Sequence, residues 1–320
     1  MKFLDTHFDD YIQSSSKISL HPHLKKTYEQ FPNNINNLNN LLFYGPSGVG
    51  KYTQALNAIK KYSQSDLKYE KKLTVCYNKT NYYFKISDIH FEIDMSLLGC
   101  NAKMLWNDIY TNIIDIISSR INKAGIVVCK NFHKIHGELL DCFYSYIQKN
   151  NNSIHLTYIL ISENISFIPD NIINNFHIIS VPRPIKSNYN KILNKKLPPK
   201  YDIKTIDNIK NISLGIESLT INIHNYVEQL YNLLLDPSNL KFGEFRDTIY
   251  DIFIYDMEIG NVIWLLLKKC IENKNIQDDD ESNIYIETYA FLQYYNNNYR
   301  PIYHLEKYFY NLINKIHGFK

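Results

Sequence analysis

The feature that most constrains the fold is a glycine-rich segment that directly follows a short apolar run. Residues 45–51 read Gly-Pro-Ser-Gly-Val-Gly-Lys, which fits the pattern G-x-x-x-x-G-K, and the apolar run occupies residues 41–44. Such a loop joins a strand to a helix, because its glycines let backbone N–H groups converge on phosphate oxygens at the positive end of that helix. The pattern therefore predicts an α/β domain that binds nucleotide phosphates, with Lys51 as the charged contact.

The residue after this lysine departs from the usual pattern. A Ser or Thr there supplies a hydroxyl group to Mg²⁺, whereas this chain has Tyr52, whose phenol oxygen lies too far from the backbone, followed by Thr53. We therefore expect ATP or ADP as ligand without a regular Mg²⁺ site. The predicted nucleotide-binding residues are Gly45, Pro46, Ser47, Gly48, Val49, Gly50, Lys51, Tyr52 and Thr53.

Composition limits the class of protein. A chain of 320 residues with 45 % hydrophobic and 21 % charged residues can bury more than one core. The net charge of +3 neither requires nor excludes a polyanionic partner. Five cysteines without a C-x-x-C pair indicate a reducing compartment. No signal-like N-terminus or long apolar run occurs, so we expect a soluble, intracellular protein that is neither secreted nor membrane-bound.

The pattern beyond the loop alternates between strands and helices, which predicts a parallel sheet. Predicted strands cover 90–94, 125–129, 156–162 and 177–181, and predicted helices cover 104–121 and 137–149. Downstream of Pro182 and Pro184 only helical periodicity is found, with a second break at 236–238. The fold class is therefore α/β plus all-α: a P-loop parallel-sheet domain (1–184), a small helical lid (185–236) and a C-terminal helical domain (237–320). The acidic run at 278–281 is interpreted as a solvated loop.

This order of domains resembles an AAA+ clamp-loader small subunit of the replication factor C family. His90-Phe-Glu-Ile-Asp94 followed by Gly99 resembles the family's pattern of a strand with an aromatic residue or His, an acidic residue and a Gly that opens the next helix. Ile302-Tyr-His-Leu-Glu306 resembles the last collar helix of the end-of-pentamer subunit, whose P-loop carries Lys and Thr where this chain has Tyr52 and Thr53. The resemblance extends from about His7 to Ile316.

The resemblance implies a RecA-like nucleotide-binding domain, a lid and a collar that assembles with other clamp-loader AAA+ subunits. It also implies a ring-shaped, PCNA-like sliding clamp and primer–template DNA as partners of the complex. The expected location is the nucleus or a site of viral or cytoplasmic DNA replication. Lys103, one turn into the helix after Gly99, is the candidate DNA contact, although a single exposed lysine more often only aids solubility.

The departures from the family fall on catalytic groups. After the strand at 125–129 the family places Asp-Glu, whereas this chain has Lys130-Asn131. The family's Ser-Arg-Cys, which supplies an arginine finger, corresponds here to Asn174-Asn175-Phe176. The lid arginine has no counterpart around 215–218, and Arg183 is judged too near the sheet to replace it. We therefore predict no catalytic residue and negligible intrinsic ATPase activity.

Two other functions stay open. A free-standing P-loop NTPase or kinase would need an acid or an arginine near the phosphates, for which Glu163 and Arg183 are the candidates. A nucleotide-free interaction subunit would retain the loop only as a relic.

Histidine and cysteine clusters receive structural interpretations. His21 and His23 are assigned to a solvated loop without a role. The group Cys129, His133 and His136 is interpreted as structural, and no metal site is predicted.

Overall fold

The computed structural model describes residues 7–77, 79–149, 154–193, 223–255, 257–276, 278–295 and 300–318, together with the single residues 198, 203, 206 and 209. The chain divides into two compact units, residues 2–214 and residues 215–320. In the described residues, a seven-stranded sheet lies in the first unit and the second is helical. The finer division at 184/185 and 236/237 stays a prediction.

The sheet is mostly parallel. Its strands are β1 (Asn40–Tyr44), β2 (Lys71–Tyr77), β3 (Thr80–Ile86), β4 (His90–Asp94), β5 (Ala124–Lys130), β6 (His155–Ser162) and β7 (Phe176–Ser180). Their spatial order is β2-β3-β4-β5-β6-β1-β7. The five strands β4, β5, β6, β1 and β7 run parallel, and β2 and β3 form an antiparallel hairpin. The predicted parallel P-loop sheet is confirmed, with predicted strands within one residue of those observed.

Both faces of the parallel region are buried. Its helices are α1 (Phe8–Lys17), α2 (Leu24–Glu29), α3 (Lys51–Ile59), α4 (Ala102–Ser118), α5 (Gly137–Gln148), α6 (Asp170–Ile173) and α7 (Lys186–Leu193). Because side chains alternate along a strand, Leu42 faces the core that contains α4 and α5, while Leu41 and Phe43 face the core that contains α1 and α3. Covering both faces leaves the carboxyl edge of the strands for a binding site.

The second unit contains five described α-helices around one core. They are α8 (Ile223–Leu235), α9 (Phe242–Ile254), α10 (Ile259–Glu272), α11 (Asp278–Tyr295) and α12 (Pro301–His317). Leu230, Leu266 and Phe309 are fully buried in this core. The all-α region is thereby confirmed.

The acidic run at 278–281 was wrongly predicted as a loop. It forms the first turn of α11. Negative residues favour this position because the N-terminal end of a helix carries partial positive charge. Among the described residues, no helix combines the length and the apolar character needed to cross a bilayer.

The β2–β3 hairpin was missed by the sequence reading. Its apolar residues alternate with polar ones, and the pairs Leu73–Phe84 and Val75–Tyr82 lie opposite each other on one face. This alternation is the signal that could have revealed the hairpin.

Candidate nucleotide-binding site

The glycine-rich loop lies between β1 and α3, at the carboxyl edge of the sheet. Gly48 and Gly50 have φ values of 69° and 89°, in the left-handed region that glycine adopts readily. A Cβ atom on Gly45 would lie 2.1 Å from the carbonyl oxygen of Val181. Glycine is therefore required at these positions for the loop to turn and to pass close to the end of β7.

Lys51, the first residue of α3, is buried against its own loop. Its Nζ donates hydrogen bonds of 2.8 Å to the carbonyl oxygens of Gly45 and Pro46. The same nitrogen lies 3.6 Å from Oε1 of Glu163. Desolvation lowers the pKa of Lys51, and the nearby Glu163 opposes that shift. The ammonium group is thus held at the mouth of the loop, where a nucleotide phosphate would compete for it.

Glu163 directly follows β6. Its backbone N–H donates to Nδ1 of His133, 3.3 Å away, and its side chain is about one-third exposed. Of the two candidates for a free-standing enzyme, it is the acidic one, and the structure brings it to Lys51. A carboxylate here places negative charge where a terminal phosphate would approach the lysine.

Tyr52 belongs to a group of three charged and polar side chains centred on the buried Glu92. Its Oη donates to Oε2 of Glu92 at 3.0 Å, and Nζ of Lys130 lies 2.6 Å from Oε1 of the same carboxylate, in ion-pair contact outside hydrogen-bond alignment. The Glu92 side chain is only 1 % exposed. Burial, and secondarily Glu92, raise the pKa of Tyr52 well above its usual value. Sequence reading had not singled out Glu92, although a charged residue inside an apolar strand was a visible signal.

Lys130 and Asn131 stand where the resemblance implies two acids. Asp94 is the register partner of Lys130 on β4, and Asn131 Nδ2 donates to both of its carboxylate oxygens at 2.9 and 3.0 Å. The two carboxylates beside the end of β5, Glu92 and Asp94, thus come from β4, and each has a partner on β5 or in the turn after it.

Arg183, which is expected to lie too near the sheet to replace the lid arginine, contacts the backbone of the loop. Its Nη2 donates to the carbonyl oxygen of Ser47 at 3.1 Å, and its Nη1 donates to the carbonyl oxygens of Ile203 at 2.8 Å and Ile206 at 3.4 Å. A guanidinium group can bridge separate carbonyls because its donors point in several directions. Arg183 therefore connects the phosphate loop to Ile203 and Ile206.

The assignment of His21 to a solvated loop was wrong. Its ring is 2 % exposed, and its Nε2 lies 2.8 Å from the carbonyl oxygen of Val49. A carbonyl oxygen only accepts, so Nε2 carries the proton in this contact. Burial lowers the pKa of His21, which favours the neutral ring. This histidine fixes the backbone of the loop from the side of the N-terminal segment.

The remaining predicted residues have simple placements. Lys103 is exposed in the first turn of α4, and its contact with DNA stays a prediction. Asn175 donates to the carbonyl oxygen of Asn171 within its own turn. Cys129 is fully buried in β5, and in the described parts of the chain no three His, Cys, Asp or Glu side chains are grouped to hold a metal. Residues 215–218 lie outside the described residues.

Of the comparisons with known proteins, the one with solved structures found matches. No protein-family profile matches the chain, and no curated protein matches it. Among solved structures, a variant of Thermotoga maritima RuvB aligns at 14 % identity over 59 % of this chain and 52 % of that one, with a TM-score of 0.34. The T. maritima RuvB Holliday junction branch migration motor gives 15 % identity, the same coverages and a TM-score of 0.32. Caenorhabditis elegans PCH-2 gives 13 % identity over 57 % of this chain and 45 % of that one, with a TM-score of 0.33.

The chain thus spans about half the length of the structures it matches. At such values the function has to be argued from the site of this chain itself.

Proposed function

We propose that this chain is a nucleotide-binding subunit of a replication factor C-like clamp loader and does not itself hydrolyse ATP. In this proposal it assembles with other AAA+ subunits, and the complex places a ring-shaped sliding clamp on primer–template DNA. The bound nucleotide, ADP in preference to ATP, stiffens the P-loop unit. Neighbouring subunits carry out the hydrolysis.

One observation supports the proposed nucleotide binding above all others. The loop keeps its glycine geometry and its buried lysine, while the end of β5 lacks the two acids that the resemblance implies. Lys51 is held at the loop mouth, while Lys130 and Asn131 replace the acids that would orient water and hold a metal. Phosphoryl transfer depends on positioning and on charge neutralisation, and both need those groups. This combination supports the proposal of binding without turnover.

Nucleotide binding is tested by thermal unfolding of the purified chain with ADP or ATP. Ligand at one hundred times its dissociation constant adds about 2.7 kcal/mol of stability, which is a readily measured shift. Lys51→Ala should abolish that shift, while an exposed lysine in the same unit, Lys25→Ala, should leave it unchanged. Absence of a shift in the unmodified chain would favour the alternative of a nucleotide-free interaction subunit.

Hydrolysis is tested by single-turnover assays on the same preparation. We expect a rate at least about 100-fold below the usual enzymatic range of roughly 1–10³ s⁻¹. Turnover in that range, lost in Lys51→Ala, would contradict the proposal.

The clamp-loader role is tested by affinity purification from the native source with mass spectrometry of the co-purifying chains. Related AAA+ subunits together with a ring-forming clamp are expected. In the reconstituted complex, Lys103→Glu should reduce the salt dependence of DNA binding, because one phosphate contact and its released counterion are lost. An unchanged slope would remove Lys103 as a DNA contact.

The position of Glu163 favours one second candidate, a free-standing NTPase or kinase. An acid 3.6 Å from the loop lysine could orient a nucleophile next to a terminal phosphate. The turnover assay separates the two functions, because Glu163→Gln would lower the rate of such an enzyme and has no rate to lower in a passive subunit.

A further inference from the structure

A magnesium ion at a P-loop has defined needs. It takes oxygen ligands at about 2.0–2.1 Å in near-octahedral geometry and is held by the hydroxyl after the loop lysine and by an acid at a nearby strand end. In this chain the corresponding residues are Tyr52, at the start of α3, and Lys130, at the end of β5. The residues present can therefore be compared directly with those needs.

The phenol and carboxylate oxygens beside the end of β5 are already in contact with protein groups. Tyr52 Oη donates to Glu92, and the other oxygen of Glu92 lies against the Lys130 ammonium. Both oxygens of Asp94 accept from Asn131. At these positions a metal ion would have to break one of these sets of contacts to obtain a ligand. Glu163, the acid that follows β6, is in ion-pair contact with Lys51. The residues therefore do not fit magnesium.

Charge leads to the same result. Lys130 Nζ lies 5.3 Å from the centre of the Tyr52 ring, so a fixed positive charge already stands beside the residue that follows the loop lysine. This ammonium is kept in place by its ion pair with the Glu92 carboxylate, which is almost fully buried and accepts a hydrogen bond from Tyr52 Oη. A divalent cation entering here would be repelled by the ammonium.

We propose that the P-loop binds its nucleotide without magnesium, and that the Lys130 ammonium, positioned by Glu92 and Tyr52, takes over the electrostatic role of the metal. The proposal rests on the proposed nucleotide binding and specifies its chemistry: the ligand is the metal-free nucleoside diphosphate. Lys130 supplies the charge, and Glu92 on the neighbouring strand holds it in place.

The first test is calorimetric titration of the full chain with ADP, in buffer with magnesium chloride and in buffer with EDTA after removal of metals. The dissociation constants for ADP in the two buffers are expected to agree within about twofold, which is well below a tenfold change in affinity. Binding that weakens by about tenfold or more in EDTA overturns this proposal and leaves the nucleotide-binding function intact. No binding in either buffer overturns both, so the two failures are distinguishable.

The second test assigns the effect to Lys130. Lys130→Gln removes the fixed charge and leaves Glu92 able to bind a metal, so ADP binding should become magnesium-dependent, with the EDTA-to-magnesium ratio of dissociation constants rising at least about fivefold. The matched control is Lys123→Gln, which changes an exposed lysine directly before the first residue of β5. Its EDTA-to-magnesium ratio of dissociation constants should stay near one. A merely structural role for Lys130 would weaken binding equally in both buffers, and an unchanged ratio in folded Lys130→Gln contradicts the assignment. If that variant does not fold, the comparison of buffers with the unmodified chain still decides the main claim.

Discussion

At the scale of single residues, the loop lysine has protein oxygens as partners before any nucleotide arrives. Two carbonyl oxygens and one carboxylate surround the Lys51 ammonium. A bound phosphate must replace at least the carboxylate, and a lysine in this position contacts the β- and γ-phosphates. Glu163 therefore disfavours a triphosphate more than a diphosphate, since the γ-phosphate adds negative charge beside it.

Glu163→Gln should raise ATP affinity relative to ADP affinity. The variant removes a negative charge beside the γ-phosphate. Because Glu163 is partly exposed, we expect an effect of about 1 kcal/mol, which corresponds to about fivefold in the ratio of ATP to ADP affinity. Calorimetric titration with both nucleotides measures the ratio. Glu29→Gln, an exposed glutamate in the same unit, is the control and should leave the ratio unchanged. An equal change for both nucleotides would show that Glu163 acts on the loop in general and does not discriminate between them.

Gly45→Ala should destabilise the P-loop unit. The new Cβ would lie 2.1 Å from a backbone oxygen of Val181, so either β7 or the loop has to move. Overpacking of this kind costs about 1–3 kcal/mol, which urea unfolding can resolve. The matched control is Gly137→Ala at the start of α5, where a Cβ meets nothing within 4 Å and alanine favours the helix. Equal stability of the two variants would contradict the close approach at Gly45.

At the scale of secondary-structure elements, the junction of β4 and β5 with α3 depends on the Glu92 carboxylate. Lys130→Met leaves that buried charge without its ammonium partner, and breaking a buried ion pair costs about 3–5 kcal/mol. Because Lys130 is about one-quarter exposed, we expect the lower end, about 3 kcal/mol. The double variant with Glu92→Gln removes both charges and should recover most of the loss in chemical denaturation. Additive losses would mean that the two side chains are not coupled.

His90, the first residue of β4, should make stability depend on pH. Burial lowers its pKa to about 4 from 6.5, with Glu92, Asp88 and Glu70 opposing the shift and Lys130 adding to it. Between these two pKa values His90 is protonated in the unfolded chain and neutral in the folded chain. The free energy of unfolding therefore falls as pH drops from about 6.5 to about 4, by up to roughly 3 kcal/mol.

His90→Asn keeps a polar atom near the Ser87 hydroxyl, which lies 2.6 Å from His90 Nδ1, and should flatten this dependence. Unfolding free energies at several pH values measure the slope. His21 and His133, whose pKa values are also lowered by burial, contribute the remaining slope in both proteins. An identical slope in the variant would show that His90 does not titrate across this range.

The order of elements was predictable, because each strand and helix has its own periodicity and the glycine-rich loop marks the connection from β1 to α3. The chemistry around the loop was not. Tyr52 and Glu92 are 40 positions apart, and Ser47 and Arg183 are 136 apart. Such contacts depend on strand order and register, which local patterns leave undetermined. The hairpin at 71–86 is a different case, since its alternation was present in the sequence and was overlooked.

At the scale of the whole molecule, every predicted nucleotide contact lies in the unit of residues 2–214, while residues 215–320 have their own buried core around Leu230 and Phe309. Ligand binding stabilises only the parts whose opening releases the ligand. ADP should therefore slow amide hydrogen exchange in β1, α3 and the end of β5, and leave α8–α12 unchanged.

Mass-spectrometric hydrogen exchange with and without ADP measures this, and Lys51→Ala with ADP serves as the control that should resemble the ligand-free chain. Slower exchange in α8–α12 upon ADP binding to the isolated chain would show that the two units open as one. Under the clamp-loader proposal, protection of α12 should arise instead when partner subunits are added, because the helical unit is then the part that assembles. Protection of α12 by ADP alone, with none added by partners, would contradict that division of roles.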